Sequence, residues 1–411
     1  MNYEQRRDRV YAEMRDHSVL LLWSGIELHT GADAYHDFEA NRNFFYLTGL
    51  RRDHMVLLMR KNGEKKQTTL YIEEADPASE RWTGKMVTAD EAKEITGIRD
   101  IRYMDRFERE LNQMLTSTDV EEVCADCYRH TAEHIPDYNT QKASEIAAGY
   151  PGIRIRNIWP VLAKLRMEKD PDEQAVLSEA IEVTDQALRH VMKVLKPGMK
   201  EYQAQAAFEF SVKNQGAEGM SFPTIAGSGK NGCMLHYETN RDTCEDGSLL
   251  LMDLGARVNG YNADITRTYP VNGRFTERQR SVYEIVLEAN RAVAAAAKPG
   301  MSLRDLNDLC RQVLADGCIR LGLIRDADEL RKYYMHSVSH HLGIDVHDVT
   351  AEGSVLTPGC VITDEPGLYI DEWETGIRIE DDLLITEDGC RVLSASVIRD
   401  PDEIEAFMAD R

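Results

Sequence analysis

The chain has 411 residues, 42% hydrophobic and 29% charged, with 71 acidic against 49 basic side chains and a net charge of −22. That balance disfavours nucleic acid and anionic membranes as partners, because both recruit basic surfaces. No apolar run reaches the ~18 residues that a membrane-spanning helix requires, and the length predicts two domains rather than one.

The first segment, "MNYEQRRDRVYAEM", is charged and helical in pattern. It lacks the apolar centre of a secretory signal, so a cytoplasmic location is expected. "SVLLLWSG" and "MVLLMR" are apolar strand candidates, and "TTLYIEE" alternates. "TADEAKEITG" predicts a short helix, with Thr88 and Glu91 as a capping box and Gly97 as the stop. Eight cysteines are scattered along the chain, and Cys124-Ala-Asp-Cys127 has no second pair at zinc-site spacing. Reduced structural thiols in an intracellular protein are expected. Residues 1–160 therefore read as a mixed α/β domain, and residues 161–411 as a second domain.

The boundary lies in "RNIWPVLAKLRMEKDPDEQ". Asp170 supplies an N-cap, Pro171 the first helical position and Glu173 the third, opening a long amphipathic helix that ends by Pro197-Gly198. "RHVMKVLKPGM" at 189–199 recurs weakly as "RAVAAAAKPGM" at 291–301, and a second amphipathic helix follows each copy. Gly247 stands six residues before Asp253, and Gly359 six before Glu365. The pattern predicts a duplicated α/β unit with acidic strand ends converging between its halves.

"LLLMDLGARVNGYNADITRT" carries Asp253 and Asp264 in apolar strand sequence. A buried carboxylate must be paired, hydrogen-bonded or metal-bound. "MHSVSHHLGIDVHD" crowds His336, His340, His341 and His347 into fourteen residues, and "VITDEPGLY" ends a strand at Glu365. "GIRIEDDLLIT" alternates, which puts Arg378 and Glu380 on one face of a predicted strand. Hard oxygen donors with one imidazole suit Mn²⁺, or Co²⁺ or Zn²⁺ in vitro, better than a thiolate zinc site would. Four carboxylates overcharge one divalent ion, whereas two ions ~3.5–4 Å apart balance them, hold a hydroxide and polarise a carbonyl. Singly, each residue has an ordinary reading: Asp253 as a turn residue, Asp264 as a cap, Glu380 as part of a solvated acidic run, a histidine as core. Jointly, five such residues at strand ends point to a metal site.

These segments, with "GSGKNGCMLHYETN", resemble the pita-bread metallopeptidases, and within them the aminopeptidase P (Xaa-Pro aminopeptidase) family, over nearly the whole chain. The resemblance implies an N-terminal domain followed by a duplicated α+β pita-bread catalytic domain. It implies two divalent metal ions, most often Mn²⁺. Asp253 would chelate one, Asp264 and Glu380 would bridge both, and His340 and Glu365 would hold the second. Glu365 would also act as general acid/base, and His347 would polarise the substrate carbonyl. His236, in "LHYETN", would stand near the scissile bond, while His336 and Arg378 would line the pocket beyond it. His341 matches no family role and is expected to pack locally.

"NRNFFYLTGL" and "DPASERWTGKMVTADEA" resemble the aminopeptidase P N-terminal domain, which methionine aminopeptidases lack. Trp82 would then reach a neighbouring subunit's cleft, implying a homodimer or homotetramer. "ASERWTGK" has no apolar periodicity that would make Trp82 core. The implied substrates are peptides with proline second. The alternative is a prolidase on the same fold, preferring dipeptides. A metal-free creatinase-like hydrolase or a non-catalytic pita-bread module should show eroded ligands, and all five are present here.

Overall fold

The computed structural model describes residues 1–410 and divides into two compact units, Met1–Arg166 and Met167–Arg411. The expected limit at 160/161 and this division both fall in the helix Trp159–Met167.

The first unit is built on a six-stranded mixed sheet. Its order is Asp100–Tyr103, Lys65–Ile72, Val56–Asn62, Ser18–Trp23, Glu122–Ala125 and Arg154–Asn157. The expected strand "SVLLLW" is buried along its whole length, which explains its unbroken apolar character. One face carries Val19, Leu21, Trp23, Val56, Leu58 and Tyr71, packed by Phe107, Leu111 and Leu115 from the helix Phe107–Ser117. The helix Ala89–Thr96 has the Thr88–Glu91 capping box and ends on Gly97 at φ +71°. A second short helix, Pro77–Thr83, was not expected, although its start is legible: Asp76 caps it and Pro77 opens it. Trp82 sits on this helix and is 92% exposed.

The second unit contains the duplicated helix pairs. Pro171–Val194 and Glu201–Asn214 form one pair, and Glu277–Ala296 and Leu303–Arg320 the other. The first helix of each pair closes, and the second opens, 102 residues apart, the spacing of the sequence repeat. Asp170 and Glu173 make the expected capping box. Among the sheets beside the helices, two three-stranded ones flank the acidic residues. One is ordered Ile265–Pro270, Leu249–Leu254, Ile225–Ser228, and the other Val361–Asp364, Asp381–Ile385, Cys390–Val392. Gly247 and Gly359, at φ +78° and +92°, make the equivalent turns into Leu249–Leu254 and Val361–Asp364. The helices and both sheets share one apolar core, with Leu188, Phe208, Met252, Tyr283, Leu314 and Ile362 fully or almost fully buried. No helix among the described residues is long and apolar enough to cross a membrane.

Candidate active site

Strand register gathers the acidic residues. Leu249–Leu254 pairs antiparallel with Ile265–Pro270, Leu254 facing Ile265, so Asp253 lies within the pair and Asp264 immediately before it. In the other sheet Asp364 faces Asp381. Glu365 follows the first strand and Glu380 precedes the second, so the ladder brings them to one end. The Glu380 N–H donates to the Thr266 carbonyl at 3.0 Å, tying the two sheets together where the acids emerge.

That same hydrogen bond corrects one expectation. Residues 376–386 do not form a single strand. Thr375–Arg378 pairs with Gly367–Ile370, and Asp381–Ile385 pairs with Val361–Asp364. Between them Ile379 and Glu380 give their N–H groups to Pro366 and Thr266. Local alternation could not reveal the change of partner. Arg378 and Glu380 still reach the same place.

A cavity of about 580 Å³ is lined by Asp253, Asp264, His340, Glu365 and Glu380, and by His236, His336, His347 and Arg378. Every expected site residue outside the first unit is therefore in it. Asp264, His340 and Glu380 each offer one ligand atom, all within 4.8 Å of one another. His340 Nε2 lies 3.4 Å from Asp264 and 3.5 Å from Glu365. His340 Nδ1 faces the His341 carbonyl at 3.0 Å, which can only accept. In the neutral ring the proton therefore sits on Nδ1, and the Nε2 lone pair faces the carboxylates.

Asp253 and Glu365 are engaged differently. Arg378 donates to Asp253 Oδ2 at 2.6 Å, and the other oxygen of Asp253 is buried without a hydrogen-bond partner among the described residues. Arg378 also donates to the Tyr369 hydroxyl at 2.9 Å, which lies 2.8 Å from His336 Nε2. His336 Nδ1 donates to the Ser337 carbonyl, so Nε2 accepts from Tyr369 and the chain of donors runs one way. Tyr369 and Thr266 were not singled out in the sequence. Thr266 donates to Glu380 at 2.6 Å and accepts from Arg378 at 3.0 Å.

Behind the acids lies a fully buried guanidinium, that of Arg267. It pairs with Asp381 at 2.8 Å and donates to the carbonyls of Thr266 and Glu380. It also donates to the carbonyls of Val397 and Ile398. Asp382 accepts from the Asp264 N–H at 3.3 Å. Nothing in "ITRT" distinguishes Arg267 from an exposed strand residue, because all its partners but the Thr266 carbonyl lie more than 100 residues away.

The electrostatics fit a cation. Burial, and then Asp253, raises the Asp264 pKa well above the usual carboxylate range. Burial followed by Asp264 and Glu365 does the same to Glu380. Burial pushes Glu365 up to about 7 against the pull of His340 and Arg378. Burial, then Arg378, lowers His336 to about 4. His236 and His347 are exposed at the mouth, and partial desolvation, then His340 and His236, lowers the His347 pKa. Converging carboxylates, a lone pair aimed at them and an orphaned Asp253 oxygen are what a divalent ion would satisfy.

This predicts a pH-dependent metal effect on stability. Glu365 has its folded pKa raised, from 4.5 to about 7, so the metal-free fold binds more protons than the unfolded chain in that window. Its stability contribution is lost as pH rises through that window. A bound cation offsets the loss. The gain in melting temperature on adding Mn²⁺ to stripped protein should therefore be larger at pH 8 than at pH 5.5, by calorimetry. An equal gain at both would contradict a carboxylate-held ion.

His341, expected to pack locally, is 1% exposed and bridges to Ile362. All eight cysteines are free.

Comparison with known proteins agrees with this geometry. The model of metallopeptidase family M24 matches residues 175–387, and that of the aminopeptidase P N-terminal domain matches 3–124. The Xaa-Pro aminopeptidase of Escherichia coli K12 is 36% identical, over 99% of this chain and 97% of its own. A Bacillus anthracis structure ascribed to aminopeptidase P superposes with a TM-score of 0.98 at 41% identity, covering 100% of this chain and 98% of its own. Escherichia coli aminopeptidase P with the inhibitor Pro-Leu gives 0.89 at 33% identity, with the same coverage. The chain belongs to metallopeptidase family M24, in its aminopeptidase P branch, whose members are metal-dependent hydrolases.

Proposed function

We propose that this protein is a Xaa-Pro aminopeptidase, releasing the N-terminal residue from peptides whose second residue is proline. The observation that carries the reading is the convergence of Asp264, His340 and Glu380 within 4.8 Å, in a cavity also lined by Asp253 and Glu365. The relatives supply the substrate class, since they are named for Xaa-Pro cleavage.

In this reading two Mn²⁺ ions would be held by Asp253, Asp264, His340, Glu365 and Glu380. Bound divalent ions supply an activated water and a Lewis acid. Glu365 carries a proton from the attacking water to the departing nitrogen. A proline nitrogen has no N–H in the peptide bond, so it needs that proton to leave. His347 donates to the carbonyl oxygen as charge develops there. His236 stands at the same mouth, near the scissile bond, while His336 and Arg378, linked through Tyr369, line the wall beyond it.

The deciding experiment compares Xaa-Pro-Xaa tripeptides with Xaa-Pro dipeptides, on protein stripped by chelation and reloaded with Mn²⁺. Stripped protein should be inactive, and reloaded protein should prefer tripeptides. Preference for dipeptides would make it a prolidase, and full activity without metal would sink the metallopeptidase reading.

The proposed assembly is a cytoplasmic homodimer or homotetramer. Its support is Trp82, whose 92% exposure is unusual for so large an apolar side chain, a type enriched at interfaces. Trp82→Ala should raise KM or lower kcat while leaving metal content intact. Mixed with Asp253→Ala under subunit exchange, it should recover part of the activity, because one site in a mixed pair regains both elements. A monomeric wild-type protein, or no recovery despite proven exchange, would count against a role for Trp82 across an interface.

A further inference from the structure

We propose that a buried ion pair, Lys169 with Asp348, is the positioning device for His347, a reading that rests on the carbonyl-polarising role assigned to that histidine. His347 is exposed. Its ring stacks on His340 at 3.9 Å between centroids, but among the described residues it takes no side-chain hydrogen bond. Apart from that stack its placement is set by its backbone, and the next residue along is Asp348.

Lys169 Nζ meets Asp348 Oδ2 at 3.1 Å, and both side chains are 1% exposed. The lysine is itself fixed. Its N–H donates to the Gly359 carbonyl at 2.9 Å, its carbonyl accepts from Gln174 at 2.9 Å, and Nζ also reaches the Met167 carbonyl at 3.4 Å. The loop between His341 and Asp348 folds tightly over this pair. The Asp348 N–H donates to the His341 carbonyl at 2.8 Å, and Asn262 donates to the carbonyls of Gly343 and Ile344 at 3.1 and 2.7 Å. A Cβ on Gly343 would lie 2.4 Å from Asp348 Oδ2 and 2.9 Å from Lys169 Cε, so a side chain there would have to displace the ion pair on which the loop closes. Two buried opposite charges hold one geometry strongly, because separating them strands a charge out of water. Asp348 is thus held on one side by Lys169 and on the other by its own backbone bond to His341, which fixes the backbone from which the adjacent His347 enters the cavity.

The test is a mutant cycle on Mn²⁺-loaded protein. His347→Ala alone should lower kcat by about 10²–10³, the size of losing one oxyanion donor. Lys169→Met should lower kcat by about 10-fold or more with KM and metal content little changed. In the His347→Ala background it should cost less than about 2-fold, since there is no ring left to misplace. Asp348→Asn keeps an acceptor for the lysine. It should show the same non-additivity with a smaller loss, and it carries the test if Lys169→Met fails to fold by circular dichroism. Near-normal kcat in both single variants would overturn the proposal, as would the same fold-loss in both backgrounds. Near-normal turnover of His347→Ala would instead overturn the assigned role of the histidine, and the proposal with it.

Discussion

Asp264→Asn and Glu380→Gln should each lose bound metal and turnover together, activity falling to the detection limit. Both residues are nearly fully buried, at 4% and 2% exposure, so neither carboxylate is a solvated surface charge. Each has its pKa raised by burial and by neighbouring acids, an arrangement that costs stability near neutral pH and that a bound cation relieves. The amide substitutions conserve volume. In Glu380→Gln the Thr266 hydroxyl, which donates to the carboxylate in the native protein, can still donate to the amide oxygen, so the fold should persist. Metal-free thermal stability should even rise, since one repelling charge has gone. Elemental analysis of the purified variants is the measurement. A full metal complement in either would refute its role as a shared ligand.

The second large effect is expected at Glu365. Glu365→Gln should lower kcat by about 10²–10⁴, the range for losing a general acid/base. Thr363 Oγ1 lies 3.4 Å from Glu365 and His340 Nε2 lies 3.5 Å away, so both neighbours remain to orient the amide. The Asp264, His340 and Glu380 ligand atoms remain within 4.8 Å of one another, so the variant should keep at least part of its metal. The diagnostic is a variant that contains metal and binds peptide yet turns over slowly across the pH range. Activity returning to wild-type values at saturating Mn²⁺ would reduce Glu365 to a ligand alone.

Much of the local structure was legible because its causes are local. The capping boxes at Thr88 and Asp170 and the stop at Gly97 use neighbours within a few residues, and the structure contains each of them. The apolar run from Ser18 to Trp23 reads as a strand, and it is one, buried along its whole length. The helix carrying Trp82 was missed although Asp76 and Pro77 signal its start, because seven residues without an apolar stripe give no helical period to detect.

The chain order of the chemistry was equally plain. Asp253, Asp264, Glu365 and Glu380 stand out because carboxylates in or beside apolar strands are costly unless partnered, and the His336–His347 stretch stands out by its density. What the sequence alone determined is therefore the set of residues and the elements that bear them. Tertiary structure decided which of them meet. The facing of Asp364 and Asp381 brings Glu365 beside Glu380, and the break at Ile379–Glu380 exists because Thr266, from another sheet, supplies the acceptor. Arg267 finds its carbonyls 113 and 130 residues along the chain, and Lys169 finds Asp348 179 residues away. Such partners leave no periodicity in the neighbourhood of either residue. They are chosen by which buried groups lack a hydrogen bond once the sheets have packed, and that is settled only in three dimensions.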